Sequence, residues 1–251
     1  MSVKISAVLI TKNAGSDFQQ CLDSLSFADE IVVLDSGSTD STVAMAERSG
    51  ARVFKSDDWP GFGPQRQHAQ ECARGEWLFW VDTDEVVTDE LAESIQSAVA
   101  SGQKNTVFQV KRLSWFFGRF IHHSGWYPDK VVRLYRRDEY AYDDAPVHEK
   151  VRCPGAVVET LEGDLLHYTA TNFAGYMAKS LRYADDWAEA RVAQGKTASL
   201  FSACTHSGGA FIRKYLLQKG FLDGQHGFLL AVTTAIYVFN KYAALWIKTN
   251  R

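Results

Sequence analysis

The sequence contains few cysteines and no segment that would export the chain. Its four cysteines are isolated, without a CxxC pair or a nearby histidine at the spacing of a zinc site. Isolated thiols are typical of reduced, cytosolic proteins. Residues 3–10 form a strand-like run and lack the long apolar core and small-residue cleavage site of a signal peptide. These absences predict a cytoplasmic protein.

The chain also lacks the common nucleotide-binding fingerprints. Gly61 and Gly63 match the first two positions of GxGxxG, but Arg66 occupies the third, and no Walker lysine motif occurs. His122 and His123 are adjacent, so they do not share one face of a helix or strand. A dinucleotide fingerprint, a P-loop and a zinc pair at these histidines are therefore not expected.

No apolar run has the length of a membrane-spanning helix. The apolar run of the tail, 228–239, is well short of the roughly 20 residues that such a helix needs. The tail mixes aromatic and aliphatic residues with the basic residues Arg213, Lys214, Lys219, Lys241 and Lys248. It could pack on the folded domain or lie in a membrane interface. Packing is the favoured interpretation, because most such apolar faces belong to a core.

Basic residues are scarce in the first 100 positions, where 7 Lys and Arg stand against 17 Asp and Glu. The remaining residues reverse the balance, with 20 against 13. An acidic half suits a metal and a nucleotide, and a basic half suits an anionic partner or a membrane surface. An unevenly charged solvated surface is the alternative. Nucleic acid is not the expected partner, since no recognised nucleic-acid module accompanies the basic residues.

Apolar runs alternate with helical patterns in the first hundred residues. The predicted strands are 3–10, 31–34, 52–55 and 77–81. Helices are predicted to begin near Asp17, Asp40 and Pro64, and Thr88 caps a fourth. This alternation predicts an α/β fold with a mostly parallel sheet and helices on both faces.

The alternation of strand and helix patterns ends after Gly102. Further strands are predicted at 106–111, 131–135 and 165–168, on either side of an aromatic, basic loop. A helical region begins at Asn172. We therefore predict a first domain over 1–171 and a helical C-terminal region over 172–251.

Acidic side chains follow two of the predicted strands. Asp35 ends the 31–34 run, with Ser36 directly after it, and Asp82 and Asp84 follow the 77–81 run. Ligands of open α/β sheets bind at the carboxyl ends of strands. Two aspartates separated by one residue offer hard oxygen ligands to Mg²⁺ or Mn²⁺, which commonly also bind substrate phosphates. The pattern indicates a divalent-metal and phosphate site, and acidic helix entries are the alternative.

Four segments carry a resemblance to a known family. In order, they are Thr11-Lys12-Asn13, VVLDSGSTDST, FGPQRQHA and GEWLFWVDTDE. Together they resemble the GT-A core of family 2 glycosyltransferases, a Rossmann-like fold that binds nucleotide-diphospho-sugars. Three later segments are similar to bacterial lipopolysaccharide core β-1,4-glucosyltransferases that act on inner-core heptose: Trp126-Tyr127-Pro128-Asp129, Arg133-Leu134-Tyr135 and Val147-His148-Glu149.

The resemblance implies roles for individual residues. A UDP-sugar would be bound by Thr11, Asn13, Asp35, Ser36, Arg66 and Asp82. Mg²⁺ or Mn²⁺ would be bound by Asp84, with His167 completing the metal site. Glu149 matches the general base, and the acceptor or its sugars would meet Trp126, Tyr127 and Arg133.

Structural alternatives stay open for three of these residues. Arg66 could be a solvated helix arginine, Glu149 a surface glutamate beside Lys150, and His167 a structural histidine.

The function implied is inverting transfer of a sugar, with glucose expected, from a UDP-sugar to an inner-core heptose of lipopolysaccharide. The anionic glycolipid acceptor and the basic residues place the protein in the cytoplasm, peripheral to the inner membrane. Alternatives are the same chemistry on another glycolipid or a capsule acceptor, or a non-catalytic nucleotide-sugar binding protein. A nucleic-acid binder that uses the basic half is a third class.

Overall fold

The computed structural model describes residues 4–250, and these form two compact units. The first contains residues 4–112 and 129–167, and the second contains residues 113–128 and 168–250. The aromatic segment 113–128 thus groups with the C-terminal helices, whereas the sequence-based boundary placed it in the first domain.

The first unit begins with strands that alternate with helices. The strands are β1 (Ile5–Thr11), β2 (Glu30–Asp35), β3 (Arg52–Lys55) and β4 (Trp77–Trp80). The helices between them are α1 (Phe18–Asp23), α2 (Thr42–Arg48) and α3 (Phe62–Cys72). The strands pair in parallel in the order β3-β2-β1-β4. Parallel neighbours require crossover connections, and each helix supplies one.

The later strands pair mainly antiparallel. After β5 (Glu85–Val87) comes α4 (Asp89–Ser101), whose N-cap Thr88 accepts a hydrogen bond from the Leu91 amide at 3.3 Å. The other strands are β6 (Thr106–Phe116), β7 (Arg119–Phe120), β8 (Asp129–Arg136), β9 (Ala141–Tyr142), β10 (Val151–Arg152) and β11 (Val157–Ala170).

The order of the large sheet is β3-β2-β1-β4-β8-β6-β11-β5. β8 is antiparallel to β4 and β6, and β11 is antiparallel to β5. The predicted α/β class is confirmed, but the sheet is mixed rather than mostly parallel. The reason is that no helix connects β6, β8 and β11, so these strands return without a crossover.

Both faces of the sheet are buried. In β1, Ile5, Ala7 and Leu9 enter one apolar cluster, whereas Val8 enters another. The first cluster also contains residues from helices α1, α2 and α4, namely Phe18, Met45 and Leu91. The second contains Ala69 of α3. The alternation follows from the two-residue period of a strand and places helices on both faces, as predicted.

The second unit is largely helical. Its helices are α5 (Phe173–Ala193), α6 (Leu200–Ile212), a π-helical turn (Arg213–Leu217), a 3₁₀ turn (Gly220–Asp223) and α7 (Gly224–Thr249). α7 packs against α5 and α6, and its Lys248 forms ion pairs with Asp185 and Glu189 of α5 at 3.0 and 3.2 Å. These contacts lie within the second unit, so the choice between packing on the first domain and lying in a membrane interface stays a prediction.

One helical stretch within residues 4–250, Gly220–Thr249, is long and apolar enough to cross a membrane by length and composition. The apolar run 228–239 in the sequence underestimated the length of this helix, because the helix continues past Lys241. All four cysteines are free, as predicted.

Candidate active site

The carboxyl end of β2 carries a turn built around Asp35. Its Oδ2 accepts hydrogen bonds from the amides of Gly37 and Ser38 at 3.0 and 2.9 Å, and its Oδ1 accepts one from Ser38 Oγ. Only 2% of Asp35 is exposed. This carboxylate therefore orders the turn that follows the strand.

The end of the neighbouring strand β1 meets the same turn. The register pairs Thr11 with Asp35, and the Asn13 amide donates to Ser38 Oγ at 2.8 Å. Asn13 Oδ1 in turn accepts from the Thr39 amide at 2.8 Å. The Thr11 hydroxyl is buried and has no hydrogen-bond partner within residues 4–250. An unpaired buried hydroxyl is costly, which makes Thr11 a candidate for a polar ligand contact.

Ser36 follows Asp35 and contacts α3. Its Oγ accepts a hydrogen bond from Gln65 Nε2 at 2.9 Å. Gln65 is fully buried, and its position one residue before Arg66 ties α3 to the end of β2.

Arg66 connects the acids from two distant segments. Its Nη2 donates to Asp82 Oδ1 at 2.7 Å and its Nε donates to Glu149 Oε1 at 2.9 Å. The guanidinium also lies over the rings of Trp80 and Tyr142, at 5.3 and 4.9 Å from their centroids. Arg66 is buried, so the alternative of a solvated helix arginine is excluded.

The loop that carries Glu149 is attached to the start of α3. The amides of Phe62 and Gly63 donate to the carbonyls of Pro146 and Ala145, both at 3.0 Å. A Cβ at Gly63 would lie 2.1 Å from the Asp143 carbonyl oxygen, so only glycine permits this approach. The glycine of the FGPQR segment thus brings the Glu149 loop within reach of Arg66.

Glu149 is partly enclosed, with 13% of its side chain exposed. Its ion pair is with Arg66 of α3, so the alternative of a surface glutamate held by Lys150 does not describe it.

A second buried arginine lies beneath the acids. Arg133 Nη2 donates to Asp82 Oδ2 at 2.7 Å and to Glu85 Oε1 at 2.8 Å. Arg133 is 4% exposed, which differs from the expectation of a surface cation that meets the acceptor. The reason is that β8 places this side chain next to two carboxylates that need a counter-charge.

The two carboxylates respond to this environment in opposite directions. Burial alone would raise the pKa of Asp82, but the charges of Arg133 and Arg66 outweigh it and hold that pKa well below its usual range. Burial raises the pKa of Glu85 above its ordinary value, although Arg133 opposes the shift. The two arginines therefore favour the charged form of Asp82, whereas burial disfavours the charged form of Glu85.

Sequence reasoning assigned no role to Glu85. Its carboxylate is fully buried, and Oε2 accepts a hydrogen bond from the Asp82 amide at 2.8 Å. It therefore fixes the backbone on which Asp82 and Asp84 stand. The signal in the sequence was a third acid directly after Asp-Thr-Asp, at the first position of the next strand.

Asp84 and His167 lie together at the predicted metal position. His167 Nε2 is 3.3 Å from Asp84 Oδ2. The antiparallel register of β11 and β5 pairs His167 with Glu85, which explains the approach. The Asp84 side chain is about half exposed, so its carboxylate can reach a ligand.

The Asp84 carboxylate and the His167 ring nitrogen could supply two of the ligands of a divalent metal ion. Within residues 4–250 no group of three or more His, Cys, Asp or Glu side chains forms a complete protein site. Mg²⁺ commonly takes only one or two protein carboxylates, with waters and substrate phosphates as its other ligands. The donor set therefore suits a metal that is held jointly with a diphosphate.

The predicted aromatic contacts belong to the second unit. The ring centroid of Trp126 is 5.4 Å from that of Phe116, and Tyr127 lies 5.7 Å from His122 in an edge-on arrangement. Trp126 also lines a cavity in this unit.

Two solved structures illustrate what this chain is similar to. Glucosyl-3-phosphoglycerate synthase of Mycobacterium tuberculosis, solved with Mn²⁺, UDP and glucosyl-3-phosphoglycerate, is 27% identical over 46% of this chain and 45% of that one, with a TM-score of 0.37. S. aureus TarS 1-349 is 16% identical over 99% and 92% of the two chains, with a TM-score of 0.48.

Curated sequences match over nearly the whole chain. The lipopolysaccharide core biosynthesis glycosyltransferase LpsC of Rhizobium meliloti is 29% identical over 96% of this chain and 92% of its own length. An uncharacterized glycosyltransferase of Rickettsia bellii is 28% identical over 98% and 86%. The profile of Glycosyl transferase family 2 matches residues 6–157, which include the strand-end acids, Arg66 and Glu149. The chain belongs to glycosyl transferase family 2.

Proposed function

We propose that this protein is an inverting, metal-dependent glycosyltransferase that moves glucose from UDP-glucose to a heptose of the lipopolysaccharide inner core. The observation that carries the proposal is the path from Asp82 through Arg66 to Glu149. Through Arg66, it connects Glu149, the carboxylate proposed to activate the acceptor, with Asp82, which is proposed to lie beside the nucleotide diphosphate.

Glu149 is the proposed general base. It takes the proton of the acceptor hydroxyl while that oxygen forms a bond to the anomeric carbon of the sugar. The bond from the anomeric carbon to the diphosphate oxygen breaks on the opposite face, UDP leaves, and the configuration inverts. Arg66 positions the carboxylate through its Nε donor. A positioned base contributes about 10²–10⁴-fold to such a reaction.

The donor is proposed to bind at the carboxyl ends of β1, β2 and β4. Thr11 offers an unpartnered hydroxyl there, and Asn13, Asp35 and Ser36 order the surrounding turn and its contact with α3. Asp84 and His167 are the residues that would hold Mg²⁺ or Mn²⁺. When bound, such an ion neutralises charge that develops on the departing diphosphate.

The acceptor assignment rests on sequence similarity and on chemistry. LpsC, 29% identical over nearly its full length, is named for lipopolysaccharide core biosynthesis. Trp126 and Tyr127 supply flat rings of the kind that stack on the apolar face of a pyranose. Arg133 supports Asp82 and Glu85 in this proposal and does not contact the acceptor.

We further propose that the protein acts at the cytoplasmic surface of the inner membrane. Large apolar side chains are exposed along α6, the two turns after it and the start of α7: Phe201, Ile212, Leu216, Leu217, Phe221, Leu222 and Phe228. Arg213 and Lys219 are exposed among them. Exposed apolar residues beside basic ones suit an interface with anionic lipid. Flotation with anionic vesicles tests this, and binding that does not weaken with added salt would contradict its electrostatic part.

The decisive test is a transfer assay with the purified full chain. UDP-glucose, UDP-galactose and UDP-N-acetylglucosamine are offered with truncated lipopolysaccharide acceptors that end in heptose, with Mn²⁺, with Mg²⁺ or with EDTA. We expect one hexose to be added from UDP-glucose, and the activity to be lost in EDTA and restored by metal. Mass spectrometry and NMR of the product identify the sugar and its linkage.

Other outcomes separate the alternatives. Transfer only to another glycolipid or to a capsule acceptor would keep the chemistry and replace the acceptor. Binding of UDP-glucose with neither transfer nor hydrolysis of the donor in any metal would indicate a nucleotide-sugar binding protein.

A further inference from the structure

The second unit contains a cavity of about 500 Å³ between α5, α7, the π-helical turn and the end of β11. Four aromatic side chains line it, Trp126, Tyr176, Tyr183 and Tyr237, together with small and polar residues. A volume of this order, lined by aromatic rings and a few polar groups, is usual for a small-ligand site.

Lys179 and Lys214 are the only charged residues among the described residues that line this cavity. Lys179 lies over the ring of Tyr183, with Nζ 5.8 Å from the centroid. Lys214 is half-buried, and its Nζ donates to the Ser124 carbonyl oxygen at 2.7 Å. Among the described residues that line the cavity there is no aspartate or glutamate. Two ammonium groups without an acid beside them favour an anion.

The burial of Lys214 points the same way. Burial lowers the pKa of Lys214, and the neighbouring charge of Arg213 lowers it further. A charged amine in such a place gains stability from a negatively charged ligand. The ammonium has three donors, and the hydrogen bond to Ser124 uses one of them.

Apolar side chains surround the place where an anion would bind. The rings of Trp126, Tyr176 and Tyr237 line the same cavity as Lys179 and Lys214. An anion bound at the two lysines would therefore meet apolar ring faces as well as ammonium groups. That combination matches a lipid with an anionic headgroup better than a free anion, which would leave the apolar surface uncovered.

We propose that this cavity binds an anionic lipid, with its phosphate at Lys179 and Lys214 and its apolar part against the aromatic wall. The proposal concerns the second unit and shares Trp126 with the proposed acceptor contacts. Its test measures lipid binding without a sugar donor, so it can fail while glycosyl transfer is observed.

Calorimetric titration of the full chain tests it, with dihexanoylphosphatidic acid below its micellar concentration as the probe. Dihexanoylphosphatidylcholine carries the same chains without the net charge of phosphatidic acid, and glycerol 3-phosphate carries the phosphate without the chains. We expect phosphatidic acid to bind at least about tenfold more tightly than either, the order expected from one charge-assisted hydrogen bond. Equal binding of phosphatidylcholine, or equal binding of glycerol 3-phosphate, would overturn the proposal.

Variants locate the site. Lys179→Gln removes one ammonium, and Ser180→Phe fills the cavity without changing charge. We expect each to weaken binding of phosphatidic acid about tenfold or more. Lys196→Gln is the matched control, since Lys196 is exposed in the same unit and does not line the cavity. Unchanged binding in both cavity variants, or an equal loss in the control, would refute the assignment. Thermal unfolding of each variant verifies that the fold is retained.

Discussion

Arg66 and Glu149 are 83 positions apart in the sequence, yet Nε of the arginine lies 2.9 Å from Oε1 of the glutamate. The same guanidinium holds Asp82 through Nη2. One side chain of α3 thus sets the distance between the proposed base and the acids at the end of β4.

Replacing Glu149 by glutamine should separate binding from catalysis. Glutamine keeps the size of the side chain and a carbonyl oxygen for Arg66, but it cannot accept the acceptor's proton. We expect kcat to fall by about 10²–10⁴-fold, with the affinity for UDP-glucose unchanged. Kinetics of transfer and calorimetry with UDP measure the two quantities. Glu162→Gln is the control, because that side chain is 77% exposed and pairs only with Lys111 in the described residues. Wild-type turnover in Glu149→Gln would remove the assignment.

Arg133 should be important for stability. Arg133→Met leaves Asp82 with Arg66 alone and the buried Glu85 with only the longer contact to Arg112 at 3.4 Å. We expect this loss of buried hydrogen bonds to lower the free energy of unfolding by about 1–3 kcal/mol. Urea denaturation measures it. Arg152→Met is a matched control, since the Arg152–Asp144 pair is exposed and worth about 1 kcal/mol or less.

The double variant Arg133→Met/Glu85→Gln tests the cause. Removing the buried carboxylate with its counter-charge should recover part of the stability lost in the single variant. A double variant as unstable as the sum of both single variants would show that Arg133 acts through packing instead.

Glu30 should make stability depend on pH. Burial alone would raise the pKa of Glu30, but hydrogen bonds from Ser6 Oγ and the Arg74 amide, with the ion pair to Arg52, lower it below the ordinary glutamate value. The stabilisation is therefore present above the unfolded-state pKa of about 4.3 and is lost as the pH falls through the folded-state value.

Glu30→Gln is the corresponding variant. We expect it to lower the free energy of unfolding by about 2 kcal/mol at pH 7, and the difference from wild type to shrink below about pH 4. Urea titrations between pH 3 and pH 7 measure this. The exposed Glu159→Gln should follow wild type at every pH, and a difference for Glu30→Gln that is constant with pH would contradict the ionic explanation.

Gly227 should tolerate no side chain. A Cβ there would lie 1.8 Å from the Gly220 carbonyl oxygen, where α7 meets the 3₁₀ turn. We expect Gly227→Ala to lower the free energy of unfolding by about 1–3 kcal/mol. Gly208→Ala in α6 meets nothing within 4 Å and should raise stability by up to about 1 kcal/mol, because alanine favours helix. The two variants should shift the melting temperature in opposite directions.

Much of the fold could be predicted because the apolar pattern in the first hundred residues is local. The βα alternation, the Thr88 cap and the acids at the ends of β2 and β4 follow from periodicity and from local hydrogen-bonding chemistry. The start of β11 gave no such signal, since the side chains of 157–160 are exposed, and only its later part, 165–168, was predicted.

The site could be predicted only in part. Family motifs bring out Asp82, Asp84 and Glu149, but the partner of each depends on contacts between distant segments. Arg133 was assigned to the acceptor, and no local pattern indicates its burial, because its carboxylate partners lie 48 and 51 positions away. No role was predicted for Glu85 because its partner Arg133 is also distant in the sequence.

The turn around Asp35 and Ser38 affects how a nucleotide would bind. Four backbone amides of this region donate hydrogen bonds to the side chains of Asp35, Ser38 and Asn13, and the Ser38 hydroxyl donates a fifth to Asp35. The backbone of this turn is therefore already ordered before a ligand binds, so binding does not cost the entropy of ordering it. Loss of affinity in Ser38→Ala would then arise as an entropic penalty, visible in calorimetry as a less favourable TΔS with little change in enthalpy. Such a variant would weaken binding without Ser38 ever touching the nucleotide.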